Sequence, residues 1–159
     1  MIFIDKNILF GYANKKMFGE LQPEYTLKLV ELITQNKLTA CLHESTIFAL
    51  SNYIKFKLKR PKHQGGQELL EQEADKKSRE FCLEIFNEPW KVVSLKKQDI
   101  ITALKDKEFN FEDSIQYYAF IESKAEYLVT WNTKDFLKAG KKLKNPKEIL
   151  IQIKKDKEE

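Results

Sequence analysis

Four short apolar runs, Met1–Ile4, Leu38–Leu42, Trp90–Leu95 and Tyr127–Thr130, are separated by stretches whose apolar residues recur at helical spacing. That alternation constrains the fold more than any other feature. Strands joined by helices close into a parallel sheet with helices on both faces. The expected architecture is therefore a three-layer α/β domain around a central, mostly parallel sheet. With 159 residues, 42% of them hydrophobic, one such domain can bury a real core. It is expected to span residues 1–153, with 154–159 a charged, frayed tail.

The helices follow from caps and periodicity. Asn7 to Asn14 reads as a turn of helix. Pro23 opens a second helix, and Ser45 or Thr46 caps the next, which Pro61 ends. Lys62–Gly66 reads as a loop and Gln67–Phe86 as a long charged helix. Ile100, Ile101 and Leu104 mark a short helix; Glu112–Lys124 forms another. A short turn at Asp135–Ala139 precedes a last helix that opens at Pro146.

Composition narrows the setting. The net charge of +4 permits a polyanionic partner without demanding one. Cys41 and Cys82 lie in apolar segments without a CxxC pair, which fits two buried, reduced thiols. No apolar run approaches the roughly 20 residues that span a bilayer. Asp5 and Lys6 break the first apolar run at once, unlike a signal peptide. A soluble, cytoplasmic protein is expected.

Carboxylates stand at the ends of the predicted elements. Asp5 follows the first strand, Asp113 lies in the first turn of the helix leading to the fourth, and Asp135 follows that strand. Ligands of open parallel sheets bind beyond the carboxyl ends of the strands, so all three can meet in one crevice. Converging carboxylates repel one another and suit a hard cation such as Mg²⁺ or Mn²⁺, which can assist phosphodiester hydrolysis. Taken singly, Asp5 and Asp135 read equally well as helix caps, and Asp113 as a first-turn acid.

Ile2–Asn7, Phe111–Ala119 and Tyr127–Phe136 together resemble the three motifs of the PIN domain, the nuclease fold of VapC-type toxins. Phe111-Glu112-Asp113 resembles the branch that places this tripeptide before the central helix. The resemblance implies a metal-dependent endoribonuclease using one or two Mg²⁺ or Mn²⁺ ions. It implies Asp5, Asp113 and Asp135 as catalytic metal ligands, with Asn7, Glu112 and Asn132 in support. It also implies a homodimer and a small antitoxin protein as partners. Two positions depart from the family. Ile47–Ser51 carries no acid where a helical Glu is usual, and Lys6 stands where Thr, Ser or Ala is usual.

For RNA, basic residues cluster at Lys55, Lys57, Lys59, Arg60 and Lys62, and again at Lys138, Lys141, Lys142 and Lys144. Such clusters would hold phosphates if they flank the carboxylates, although a solvated charged face gives the same pattern. Trp131 at the crevice mouth can stack a base or serve packing. His43 and His63 are not coupled in sequence, which disfavours a histidine-based mechanism. Gly65-Gly66 lacks the GK[ST] ending of a phosphate loop. A non-cleaving PIN-like RNA- or protein-binding module is the alternative. A phosphatase- or receiver-like protein is disfavoured, because Asp5-Lys6-Asn7 lacks a second Asp.

Overall fold

The computed structural model describes residues 1–87 and 89–158. Among these residues, five strands form one all-parallel sheet: β1 (Ile2–Ile4), β2 (Ala40–His43), β3 (Lys91–Val93), β4 (Tyr127–Val129) and β5 (Leu143–Lys144), in the order β3-β2-β1-β4-β5. The expected α/β class and parallel sheet are both present. Among the described residues, seven α-helices connect and cover the strands: α1 (Lys6–Phe18), α2 (Glu24–Thr34), α3 (Glu44–Lys59), α4 (Glu71–Phe86), α5 (Lys97–Lys105), α6 (Phe111–Ser123) and α7 (Pro146–Glu158).

Strand alternation divides the core into two layers. Ile2, Ile4, Leu42 and Val129 face a cluster built with Ile8, Leu9, Leu29, Leu50, Ile54 and Ile149, on the side of α1, α2, α3 and α7. Phe3, Cys41 and Leu128 face the other side, where Ala119 and Phe120 of α6 and Phe136 pack. Burial on both faces explains why the inner strands read as continuous apolar runs rather than as alternating ones. Cys41 and Cys82 are buried free thiols.

Several local expectations are corrected. The cap of α3 is His43, whose Nδ1 accepts the Ser45 amide at 3.2 Å, rather than Ser45 or Thr46. α4 begins at Glu71 instead of Gln67. The preceding residues fold back on α3, and the amides of Gln67 and Leu69 both donate to the Leu58 carbonyl. Lys62–Gln64 forms a single 3₁₀ turn within the expected loop. The charged tail expected to fray is the final part of α7 as far as Glu158. That helix is opened by a reciprocal pair: Asn145 Oδ1 accepts the Glu148 amide at 2.9 Å, and Glu148 Oε2 accepts the Asn145 amide at 2.8 Å. β5 has no counterpart among the four expected strands. At two residues it is too short to show alternation.

The topology positions the site. β2 and β3 extend the sheet to one side of β1, and β4 and β5 to the other. The strand order therefore switches between β1 and β4, and their carboxyl ends flank the crevice where open α/β sheets bind ligands. Among the described residues, no helix is long and apolar enough to cross a membrane.

Candidate functional site

Asp5 is the first residue beyond β1 and is only 3% exposed. It caps α1 and also belongs to the crevice, so the two sequence readings coexist. Oδ1 accepts the Lys6 amide at 2.7 Å, while Oδ2 accepts the Thr130 hydroxyl at 2.8 Å and the Asn7 side-chain amide at 2.7 Å. Burial raises the Asp5 pKa from 3.8 to about 6. The Thr130 hydrogen bond, the Lys6 amide and the Lys6 ammonium oppose the rise, and the Asp113 charge adds to it.

Asn7 and Thr130 stitch β1 to the loop after β4. Asn7 Nδ2 also reaches Thr130 Oγ1 at 2.9 Å, and Asn7 Oδ1 accepts the Trp131 amide at 3.3 Å. Thr130 Oγ1 accepts the Asn132 amide at 3.0 Å. Thr130, fully buried, thus holds Asp5 and shapes the next turn, a role the sequence reading did not assign. Its signal was a hydroxyl residue at the end of an apolar strand. Asn132 meets Asp135 through its backbone: it precedes the 3₁₀ stretch Thr133–Lys142, and its carbonyl accepts the Asp135 amide at 3.0 Å.

Asp113 lies in the first turn of α6, half-buried. Asn110 caps this helix by accepting the Asp113 amide at 2.9 Å, and its Nδ2 donates to Asp113 Oδ2 at 2.7 Å. Burial, then the Asp135 charge, raise the Asp113 pKa; Asn110 and Lys6 oppose this, and Glu112 adds to it. Asp113 is therefore the electrostatic middle of the site, acting on Asp5 and acted on by Asp135. Lys6 reaches across the crevice and pairs with Glu112.

The donor chemistry suits a hard cation, because every candidate ligand is a carboxylate oxygen. A carboxylate offers about four acceptor positions, of which Asp5 has filled three. Among the described residues, however, no group of three or more His, Cys, Asp or Glu side chains stands at metal-binding spacing. The Lys6 ammonium supplies the positive charge near Asp5 and Asp113.

The basic residues are placed differently from expectation. α3 starts at the carboxyl edge of the sheet and runs back for 16 residues, a length of roughly 24 Å at 1.5 Å per residue. Lys57 accordingly lies 4.6 Å from the ring of Phe18, at the far end of α1. Lys59 and Arg60 therefore sit at the edge opposite Asp5 and do not flank the crevice. Lys59 pairs with Glu71, Lys57 is buried against Glu20 and Asn14, and Arg60 lies 4.5 Å from the Phe56 ring. Lys138 stands 3.7 Å from both Asp106 and Glu108 and 5.6 Å from the Tyr117 ring. Trp131 lies at the crevice mouth, 36% exposed, with Nε1 donating to Thr26 Oγ1 at 2.8 Å. Its base-stacking and packing readings both fit that position.

Neither a protein-family model nor a curated protein matches this chain.

Proposed function

We propose that the chain is a PIN-like, Mg²⁺- or Mn²⁺-dependent endoribonuclease of the cytoplasm, the toxin of a toxin–antitoxin pair. The observation that carries the nuclease reading is the electrostatic coupling of Asp5, Asp113 and Asp135 at the switch point of a parallel sheet. The Asp113 charge raises the proton affinity of Asp5, and the Asp135 charge that of Asp113, so the crevice is a negative site that binding a cation would relieve. The toxin role, the small antitoxin and the homodimer rest on the motif resemblance alone.

Asp5, Asp113 and Asp135 would hold the cation. When bound, it would activate water and neutralise charge on the phosphate. The chain supplies the rest. Thr130 and Asn7 fix the Asp5 carboxylate, and Asn110 fixes Asp113. Lys6 can turn from Glu112 to a phosphate oxygen, as both lie at the crevice rim.

The test is incubation of purified protein with structured RNA in Mg²⁺, in Mn²⁺ and in EDTA, beside Asp113→Asn. Cleavage that needs the metal and is lost in the variant supports the proposal. Equal RNA loss in every lane marks a contaminant, and no loss with either metal removes the nuclease reading.

The Lys6–Glu112 ion pair favours a second reading, a module that binds RNA or protein without cutting it. In that reading Lys6 takes the place of the cation. RNA binding that is equal in EDTA and in Mg²⁺, with no cleavage, would select it.

A further inference from the structure

An open cavity of about 140 Å³ lies between the first turns of α3 and α6. Ala49, Phe111 and Ile115 give it a mainly apolar wall, and Lys6 stands at its side toward Asp5. Gln116 also lines it, although the residue is only 3% exposed. Gln116 Nε2 leans on the hydroxyls of Ser45 and Thr46, each 3.4 Å away, while its Oε1 has no partner. A buried amide oxygen is normally paired, and a ring N–H entering the cavity would supply that partner.

Size and chemistry restrict what can enter. An apolar cavity of roughly 150 Å³ accepts one benzene ring, so this cavity suits a single six-membered ring rather than a fused pair. The ring must carry an N–H for the Gln116 oxygen and a flat face for Phe111, which is 49% exposed. Uracil and cytosine each present a donor beside an acceptor, the complement of a side-chain amide.

We propose that the cavity is a pyrimidine subsite for single-stranded RNA. It takes the base next to the phosphodiester that lies over Asp5 and Asp113, with Lys6 meeting the connecting phosphate. This assignment rests on the nuclease reading for its placement beside a scissile bond, but base binding itself does not need cleavage. Phe111 supplies stacking, which tolerates any base. The cavity's size and the Gln116 amide supply selection.

The experiment measures binding in EDTA, where no cut occurs. Fluorescence anisotropy compares short oligouridylate, oligocytidylate and oligoadenylate on the wild type and on Ala49→Met. Met keeps helix propensity and adds bulk to the cavity from α3 while leaving Gln116 in the sequence, and a thermal melt confirms its fold. The wild type is expected to bind the pyrimidine oligomers about tenfold tighter than oligoadenylate, and Ala49→Met to lose that preference. A parallel NMR titration with uridine monophosphate should shift the Gln116 side-chain amide in the wild type and not in the variant. Equal binding of all three oligomers, a preference that survives Ala49→Met, or an unmoved Gln116 amide each overturns the subsite. Metal-dependent cleavage without base preference would leave the nuclease standing and remove the subsite. A Gln116 shift without cleavage would do the reverse.

Discussion

The hydroxyl of Thr130 donates to Oδ2 of Asp5 at 2.8 Å, joining positions 125 residues apart. It ties the carboxyl ends of the two strands at the switch point through a buried carboxylate, and it is the largest influence holding the Asp5 pKa down. Thr130→Val keeps the shape and removes the donor. The variant is expected to lose about 1–3 kcal/mol of stability at neutral pH, the usual effect of leaving a buried polar group unpaired. Urea unfolding at pH 7 and pH 5 checks this. The loss should shrink at the lower pH, where Asp5 is protonated.

Asp5 also sets a pH dependence. Its carboxyl keeps a proton up to about pH 6 when folded, against 3.8 ordinarily. Between those values the folded state binds the extra proton, so stability falls as pH rises through the window and levels above it. The total change is about 3 kcal/mol. Asp113, also raised, has the same sign. In Asp5→Asn the fall should flatten. The difference between the two urea-midpoint profiles from pH 4 to 8 isolates Asp5, because Glu71 and Asp106, whose pKa values are lowered, are shared by both proteins. Parallel profiles would contradict the assignment.

Gly66 is required by close approach. A Cβ there would stand 2.0 Å from the Arg60 carbonyl oxygen, while Gly65, at φ +79°, faces open space. Gly66→Ala must move backbone and is expected to cost about 1–3 kcal/mol, as overpacking does. Gly65→Ala meets only the left-handed backbone penalty of roughly 1–2 kcal/mol. Thermal melts of both variants should rank Gly66→Ala as the less stable. The reverse order would show that the fold of residues 60–70 yields easily.

Trp131 distinguishes stacking from packing. Trp90→Phe would leave it as the sole tryptophan, since the chain has two. Oligouridylate added in EDTA should then quench its emission, because its ring lies at the crevice mouth while its N–H stays on Thr26. Unchanged emission at saturating RNA would reduce Trp131 to a clamp between α2 and the loop after β4.

The sequence made the sheet legible through its two-sided strands: Ile2 and Ile4 bury on one face and Phe3 on the other, which leaves an uninterrupted apolar run. Asp5, Asp113 and Asp135 were legible as acids at element ends. What escaped depended on pairing in space. β5 exists only because Leu143 and Lys144 lie beside Leu128 and Val129. The cap on α3 is an imidazole, a residue type that capping preference does not nominate. Lys59 and Arg60 looked like neighbours of the crevice, yet α3 carries them away from it. Thr130 and Gln116 are polar residues whose importance comes from what they meet after folding.

The pairing of β1 with β4 sets a timetable for synthesis. β1 is flanked by β2 on one side, but its other flank waits for residues 127–129. At about 5–20 residues per second, a ribosome that has made Asp5 needs roughly 6–25 s to reach Thr130, the partner 125 positions on. During that interval Asp5 has neither its Thr130 hydrogen bond nor Asp113 and Asp135 complete beside it. A nascent chain therefore carries no assembled carboxylate site, and any hydrolytic capacity it encodes stays latent until β4 closes the sheet.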